Sequence, residues 1–408
     1  MSYRSTIARQ PEALADTCAA VAKELGQKDL SVLDKGVIGL TGIGASFAAA
    51  TVGAGELQRH GRRGAAIRAF DLDSGNDLAD ALIGLSHRGR SVETVTAFRE
   101  LPSAKTLSIT NDANSPLAQA SDLHLQLANG SDATPSSTGY TATLLARGRA
   151  LDKLVGAEGP GWADLAKTSE AVLATAAEKM DRLGSLFEKR RAIDCVGAGS
   201  RFGTADEASL LIREASRIPA AAYDTRHYLH GPMESMDETT GVVIFGDDRE
   251  VALAQNLEDI GCPTLLVTKR DDVQDSGKLT VVQVPRSDNR VAQGIIDILV
   301  PQLLAATLSD GPQGWLTAAL IVGLLSFGAV FAVNSALHSY LILAFSRAEQ
   351  VTMDVGFYYM ANAGGRLLGT VLSGLSYQTG GLSAMLATAT GLIVLSALAA
   401  GRLTPLKP

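Results

Sequence analysis

The hydrophobic positions of this 408-residue chain follow two different patterns. Up to about residue 306, apolar runs of about four to eight residues alternate with segments of helical periodicity. Glycine and polar turn residues bound most of these runs, as expected for buried strands that each lead into a helix. Strands that alternate with helices predict parallel sheets with helices on both faces, so the first pattern indicates a doubly wound α/β fold.

The predicted strands fall into two groups. The first group is 36–40, 81–86, 105–110 and 123–127. The second is 192–199, which is a strand together with its glycine loop, followed by 241–246, 262–269 and 279–285. One offset of 155 residues relates Gly42 to Gly197 and Gly44 to Gly199, which predicts an internal repeat of a strand–loop–helix unit. The predicted domains are a helical leader (1–35), a first subdomain (36–151), a helical connector (152–190), a second subdomain (191–306) and an apolar tail (313–408).

The second pattern is confined to the tail. Residues 311–346 and 367–401 contain no charged side chain. Charge-free apolar runs of more than about 18 residues are typical of membrane spans. We therefore expect an all-helical transmembrane tail with three spans, at about 315–345, 353–376 and 381–400.

Charge and cysteine content narrow the function classes. The formal net charge is −7 and no basic run with interleaved aromatic residues is present, so we expect no nucleic-acid partner. The three cysteines are far apart, which favours small buried side chains in a reducing cytosol over a metal site. The first residues lack the apolar stretch of a secretory signal, so we expect a cytoplasmic location for the α/β part.

A nicotinamide cofactor is the first alternative for the glycine loops. The loop at Gly42 lacks the usual spacing of dinucleotide-binding glycines, and no acidic residue follows at the distance that a ribose requires; Asp71 lies too far along. We therefore expect no cofactor and no metal.

Residues 194–232 carry the densest set of candidate groups. A glycine loop leads into a helix, whose N-terminal N–H groups suit an anion. On that helix Glu207 and Glu214 are two turns apart and are expected to point together at the edge of the apolar stripe, with His230 sixteen residues after Glu214. Two interpretations stay open: a general acid/base pair, or, as spacing alone favours, a surface ion pair of Glu214 with Arg213 or Arg217 and a turn cap at His230.

Two loops at predicted strand ends are rich in hydroxyl groups. Ser86 and Ser91 flank a glycine in one loop, and Arg88 adds a positive charge; Ser137 and Thr138 end the other loop. Hydroxyl and backbone N–H donors in such loops can wrap phosphate oxygens. An ordinary polar turn is the equally weighted alternative.

Five segments within residues 5–300 resemble the sugar isomerase (SIS) domain family, in the tandem arrangement of the isomerase half of glucosamine-6-phosphate synthase. Residues 42–46 resemble its G-x-G-T-S loop, 86–91 its S-Q-S-G-E-T loop and 135–138 its V-A-S-T segment. Glu207 and Glu214 match the two acids of its E-x-x-x-x-x-K-E helix, and residues 229–232 match K-H-G-P. The predicted fold is therefore two doubly wound SIS subdomains followed by the helical tail.

The resemblance implies roles for these residues. Ser46, Ser86, Ser91 and Ser137 would bind the phosphate and hydroxyl groups of a sugar 6-phosphate. Glu214 would carry a proton between C1 and C2, and His230 would assist ring opening from a second subunit, so a homodimer is implied. Glu207 is expected to lie with the substrate-binding residues. The expected reaction is aldose–ketose isomerisation, with or without deamination.

The chain departs from the family pattern in several places. Ala45 replaces a threonine, and His87-Arg88 replaces Gln-Ser. No glutaminase domain precedes the first subdomain, so we expect no ammonia transfer from glutamine. The segment that carries the family's C-terminal lysine is expected to be replaced after about Ala306.

The tail resembles the last three helices of a major facilitator superfamily transporter, of the organoarsenical exporter type. The resemblance rests on residues 334–342 and 354–370. Three crossings would place the α/β part outside the cell, although its first residues lack a secretory signal. Because of this conflict we hypothesise that the chain is a fusion of two genes. A sugar-phosphate-binding module without catalysis and a membrane transport fragment remain the alternative functions.

Overall fold

The computed structural model describes residues 2–72, 78–101, 104–157, 161–309, 313–346 and 349–402. These residues form two compact units, Met1–Gly311 and Pro312–Pro408. The first unit contains two parallel sheets of five strands each.

Short runs of apolar residues form the central strands of both sheets. The first sheet consists of β1 (Val37–Thr41), β2 (Arg63–Ala66), β3 (Ala81–Leu85), β4 (Lys105–Thr110) and β5 (Leu123–Gln126), in the order β2-β1-β3-β4-β5. The second consists of β6 (Ile193–Gly197), β7 (Ala220–Tyr223), β8 (Gly241–Phe245), β9 (Thr264–Thr268) and β10 (Leu279–Gln283), in the order β7-β6-β8-β9-β10. The two orders are the same, which confirms the predicted repeat and the α/β fold class.

Helices surround the sheets of the first unit. They are α1 (Tyr3–Ala8), α2 (Gln10–Gln27), α3 (Ala45–Arg59), α4 (Ala69–Leu72), α5 (Val92–Glu100), α6 (Pro116–Gln119), α7 (Thr138–Val155), α8 (Leu165–Ala177), α9 (Met180–Phe187), α10 (Ser200–Leu211), α11 (Thr225–Tyr228), α12 (Arg249–Asp259) and α13 (Arg290–Ser309). Three short turns complete the unit: 3₁₀ turns at Ser31–Leu33 and Pro232–Ser235, and a π-helical turn at Ile212–Ser216 that extends α10.

The two glycine loops have the same backbone geometry. Gly44 precedes α3 with φ 57° and ψ −125°, and Gly199 precedes α10 with φ 60° and ψ −125°. These angles suit glycine because a Cβ atom is disfavoured at positive φ. Each loop therefore turns its strand into the following helix in the same way.

Helices α3 and α10 pack against each other between the two sheets. Gly203 makes this approach possible, because a Cβ atom at that position would lie 2.8 Å from the carbonyl oxygen of Ala48 and 2.4 Å from Val52 Cγ2. Helix α13 packs against α7, α8, α9 and α10, and most of its residues are buried. The core is thus continuous across both halves of the unit.

The second unit consists of two long apolar helices, α14 (Gln313–Phe345) and α15 (Val351–Ala400). Gly380 and Gly381 break α15 with non-helical angles, between the predicted spans 353–376 and 381–400. Among the residues that the structure describes, three helices could cross a membrane by length and composition alone: Arg290–Ser309, Ala318–Ile342 and Val351–Ala400. The first of these lies in the core of the α/β unit, whereas the windows in the other two are fully unburied.

Candidate functional site

The first sheet has a polar cleft where β3 and β4 end. Ser86 and Ser91 lie on the loop after β3, and their Oγ atoms are 3.1 Å apart. Gly89 between them has φ 62°, and a Cβ atom there would come within 2.1 Å of Ser115 Oγ. The loop therefore needs glycine at this position. The adjoining cleft has a volume of about 160 Å³ and is lined by His87, Arg88, Arg90, Asn111 and Asp112.

Ser46 lies beside this loop, in the first turn of α3. A Cβ atom added to Gly42 would be 2.6 Å from Ser46 Cβ and 2.9 Å from the carbonyl oxygen of Leu85, the last residue of β3. Ser46 is half-buried and Arg88 is exposed. The fold thus brings Ser46 and Ser86 to the same edge of the sheet.

Ser137 and Thr138 begin α7, and an aspartate organises the loop before them. Asp132 Oδ2 accepts hydrogen bonds from the backbone N–H groups of Ser137 (2.8 Å) and Gly139 (2.7 Å). The buried Ser137 Oγ lies 2.7 Å from Thr6 Oγ1 and 3.0 Å from Asp132 Oδ1. The hydroxyl of Ser137 is therefore engaged inside the protein.

A histidine joins the two hydroxyl-rich loops. His87 Nε2 lies 3.1 Å from Asn129 Oδ1, and Asn129 Nδ2 donates to Thr138 Oγ1 over 3.1 Å. An amide oxygen accepts only, so Nε2 carries the proton in this arrangement. Burial lowers the pKa of His87 and favours the neutral imidazole, which still makes this bond.

Glu207 is buried, so its predicted place at the edge of the helical stripe is wrong. Its side chain is 1% exposed, and neither carboxylate oxygen has a hydrogen-bond partner within the part of the chain that the structure describes. Helices α3 and α13 both pack on α10 and remove that face from water. Burial, followed by repulsion from Glu214, raises the pKa of Glu207 well above its ordinary value and favours the neutral acid.

Glu214 and His230 face solvent instead. Glu214 lies in the π-helical turn after α10, and partial loss of hydration raises its pKa. His230 is exposed, and its backbone N–H donates to the carbonyl oxygen of His227. Neither side chain has a hydrogen-bond or ion-pair partner among residues 2–72, 78–101, 104–157, 161–309, 313–346 and 349–402. The structure therefore does not join the two groups, nor does it pair Glu214 with Arg213 or Arg217.

The second sheet carries an ion-pair network at the corresponding edge, which the sequence analysis missed. Arg201 is bound by Asp247 (2.8 Å) and by the fully buried Asp297 (3.0 Å). Asp247 also accepts from Lys269 Nζ (2.9 Å) and from the Lys269 backbone N–H (2.8 Å). These donors hold the pKa of Asp247 far below its ordinary value. The offset of 155 residues that relates the glycine loops also relates Ser46 to Arg201. This offset is the sequence signal by which Arg201 could have been found.

Comparisons with known proteins agree with this architecture. Residues 32–151 match the SIS domain model. This match contains all five strands of the first sheet, the Ser86–Ser91 loop and residues 135–138, so it covers the first cleft.

Curated relatives match a longer stretch. The chain is 27% identical over 231 residues to the isomerizing glutamine–fructose-6-phosphate aminotransferase of Yersinia pseudotuberculosis, covering 52% of this chain and 38% of that protein. The corresponding protein of Haemophilus influenzae is 28% identical over 239 residues. The chain thus spans less than two fifths of the length of these relatives.

Solved structures show the same fold. The C-terminal domain of glucosamine-fructose-6-phosphate aminotransferase from Francisella tularensis superposes with a TM-score of 0.65 at 19% identity, covering 75% of this chain and 95% of that one. A glucosamine-6-phosphate deaminase from Thermotoga maritima gives a TM-score of 0.57 at 21% identity, covering 74% of this chain and 94% of that one. The predicted resemblance to the SIS family and to the aminotransferase isomerase half is confirmed.

Proposed function

We propose that this chain binds an amino sugar or ketose 6-phosphate and catalyses aldose–ketose isomerisation, with or without deamination. The observation that carries the proposal is the match of residues 32–151 to the SIS domain, because the paired serines at the carboxyl edge of the first sheet lie within that match. We assign the second sheet, which repeats the same strand order, to a second SIS subdomain.

In this proposal the first cleft holds the phosphate. The hydroxyl groups of Ser46, Ser86 and Ser91 donate to its oxygens, and Arg88 supplies a positive charge at the rim. Ser137 and Thr138 support the neighbouring loop through their buried hydrogen bonds. The sugar extends from the cleft toward the catalytic groups.

Glu214 is the proposed proton carrier. As a carboxylate it removes the proton from C2 of the aldose, and the electron pair forms the C1=C2 bond of an enediol while O1 gains a proton. Return of the proton to C1, with loss of the O2 proton, gives the ketose. For an amino sugar the product is the imine at C2, and attack of water releases ammonia. A raised pKa suits a group that must accept and then return a proton near neutral pH.

His230 is proposed to act from a second copy of the chain, so that the working form is a homodimer. Its exposure and its lack of contact with Glu214 within one chain agree with such an arrangement. In this role the imidazole takes a proton from the ring hydroxyl to open the sugar. Glu207 lies beneath the site as a neutral acid.

The substitution Glu214→Gln tests the assignment. We expect the full chain, in detergent micelles, to convert glucosamine 6-phosphate to fructose 6-phosphate, and the variant to lose about 100-fold or more in kcat with KM little changed. The matched control is Glu170→Gln, an exposed glutamate on α8, which should behave as wild type. Ligand binding by the wild-type chain without turnover would contradict catalysis and leave a sugar-phosphate-binding module.

We also propose that the tail inserts into a membrane. Its large apolar side chains are exposed along α14 and α15, and a helix that is apolar on all sides is stable only inside a protein core or in lipid. The resemblance to the last three helices of a transporter, and the origin of the chain as a gene fusion, are parts of this proposal.

Flotation with liposomes tests the insertion. The full chain should float with the vesicles and resist carbonate extraction. Leu324→Lys with Leu325→Lys, at the middle of α14, should weaken this association, because each lysine at the centre of a span costs about 3 kcal/mol. A wild-type chain that stays in the aqueous fraction without detergent would contradict the proposal.

A further inference from the structure

The second sheet has a larger cleft than the first, at the carboxyl ends of β6, β8 and β9. Its volume is about 310 Å³. Ligands of parallel α/β sheets bind at this edge, outside the ends of the strands. The residues that line it include Ser200, Arg201, Asp247, Asp248, Glu250, Lys269, Ser287 and Arg290.

One lining residue is buried and has no partner. Glu250 is 7% exposed, and no hydrogen bond or ion pair to it is formed by any residue within the described ranges. Its side chain lies over the end of β8, since a Cβ atom at Gly246 would come within 2.2 Å of Glu250 Cγ. The Glu250 carboxylate oxygens are not among the fully buried atoms without a partner, so they keep contact with solvent, and the side chain lines the cleft. A hydrogen-bond donor of a ligand can therefore reach Glu250 through the cleft.

The charges of the lining define the ligand further. Three basic side chains (Arg201, Lys269, Arg290) face three acidic ones (Asp247, Asp248, Glu250). Asp247 is already neutralised by Arg201 and Lys269. This leaves the exposed Arg290 for an anionic group, and Glu250 together with the exposed Asp248 for a cationic or hydroxyl donor. The cleft therefore presents both signs of charge to one small molecule.

We propose that this cleft is a second ligand site, for a zwitterionic hydroxylated molecule such as an amino sugar phosphate. The amino group binds Glu250 and the phosphate binds at Arg290, with Lys269 and Ser287 beside it. Asp247 holds the cationic side chains in place. The site is separate from the one proposed on the first sheet and does not depend on turnover there.

Equilibrium binding to the full chain in detergent micelles tests the proposal. The probes are glucosamine 6-phosphate, fructose 6-phosphate, which lacks the amine, and glucosamine, which lacks the phosphate. The first cleft is silenced by Ser86→Ala with Ser91→Ala. In this background we expect one glucosamine 6-phosphate per chain, with each of the other two probes binding at least about tenfold more weakly.

Substitution of Glu250 then gives the decisive comparison. Glu250→Gln keeps the shape of the side chain and removes its charge. It should weaken glucosamine 6-phosphate about tenfold and abolish the preference over fructose 6-phosphate, while Glu178→Gln, an exposed glutamate after α8, changes neither. Arg290→Ala, at an exposed position, should weaken both phosphates and leave glucosamine unaffected.

Two results would overturn the second site. One is a silenced background that binds none of the three probes although its circular dichroism matches wild type. The other is an unchanged preference for glucosamine 6-phosphate after Glu250→Gln. A wild-type chain that shows no turnover, while the silenced background still binds glucosamine 6-phosphate, would instead contradict only the function proposed for the first cleft.

Discussion

The two sheets of the α/β unit share strand order and loop geometry but differ in the chemistry of their ligand edges. The first edge presents hydroxyl groups, with Ser86 and Ser91 paired across a glycine turn. The second presents charges that neutralise each other, with Arg201 held between Asp247 and Asp297. The serine hydroxyls of the first edge suit an external anion, whereas at the second edge Asp247 and Asp297 already pair with the cation. A repeated backbone therefore does not imply repeated side-chain chemistry at the ligand edge.

The largest difference between the two edges is expected in the free energy of unfolding after substitution. Arg201→Met leaves the fully buried Asp297 without its cation, which should lower the free energy of unfolding by about 3–5 kcal/mol. Urea unfolding of the full chain in detergent measures this through the fluorescence of the buried Trp162, in a Trp315→Phe background. At the corresponding position of the first sheet, Ser46→Ala should change stability by less than about 0.5 kcal/mol. Similar losses at both positions would remove the contrast between the edges.

The next effect concerns affinity. Ser86→Ala with Ser91→Ala should weaken fructose 6-phosphate about 100-fold, because two hydrogen bonds to a charged phosphate are lost. The free energy of unfolding should stay near that of wild type, since the two hydroxyls bond mainly to each other. Titration followed by a melting shift measures both quantities. Unchanged affinity would place the phosphate elsewhere.

The smallest expected effect is a pH dependence of the free energy of unfolding, which comes from a residue of the second sheet. Burial raises the pKa of Asp194 on β6 to about 6, whereas the position related by the same offset in the first sheet is Gly39. A raised pKa means that the fold prefers the protonated acid. The stability from this group is therefore complete below about pH 4 and is lost as the pH rises through about 6.

Asp194→Asn should remove this dependence. At pH 7 the variant should exceed wild type by about 1–2 kcal/mol, and the two should converge near pH 4. Urea unfolding at a series of pH values checks the slope. A difference that stays constant between pH 4 and pH 7 would show that Asp194 does not titrate in this range.

Most of the fold could be predicted from the sequence because several central strands are continuous apolar runs, as in β3 and β8. The edge strands β2 and β7 were missed because Arg63–Ala66 and Ala220–Tyr223 lack such runs. Helix α13 was not predicted, and by length and composition it resembles the apolar helices of the tail although it lies in the core. Length and composition do not distinguish these two environments.

The candidate site was less predictable. The residues of the serine loop, 86–91, are consecutive in the sequence, so their motif was sufficient to predict the loop. The network around Arg201 joins residues 46 and 96 positions apart, and only the fold brings them together. The difference in burial between Glu207 and Glu214 depends on packing that helical periodicity alone does not show.

The π-helical turn at Ile212–Ser216 has a consequence for how the chain tolerates insertions and deletions. Such a turn holds one residue more than an α-helical turn and is less stable. Removing one residue from it would restore regular winding and rotate Glu214 by about 100° around the helix. The extra residue therefore sets the direction in which Glu214 leaves the helix, whereas Glu207 lies before the turn and would keep its buried place. A single-codon deletion ahead of Glu214 would move the proposed proton carrier while making the helix more regular.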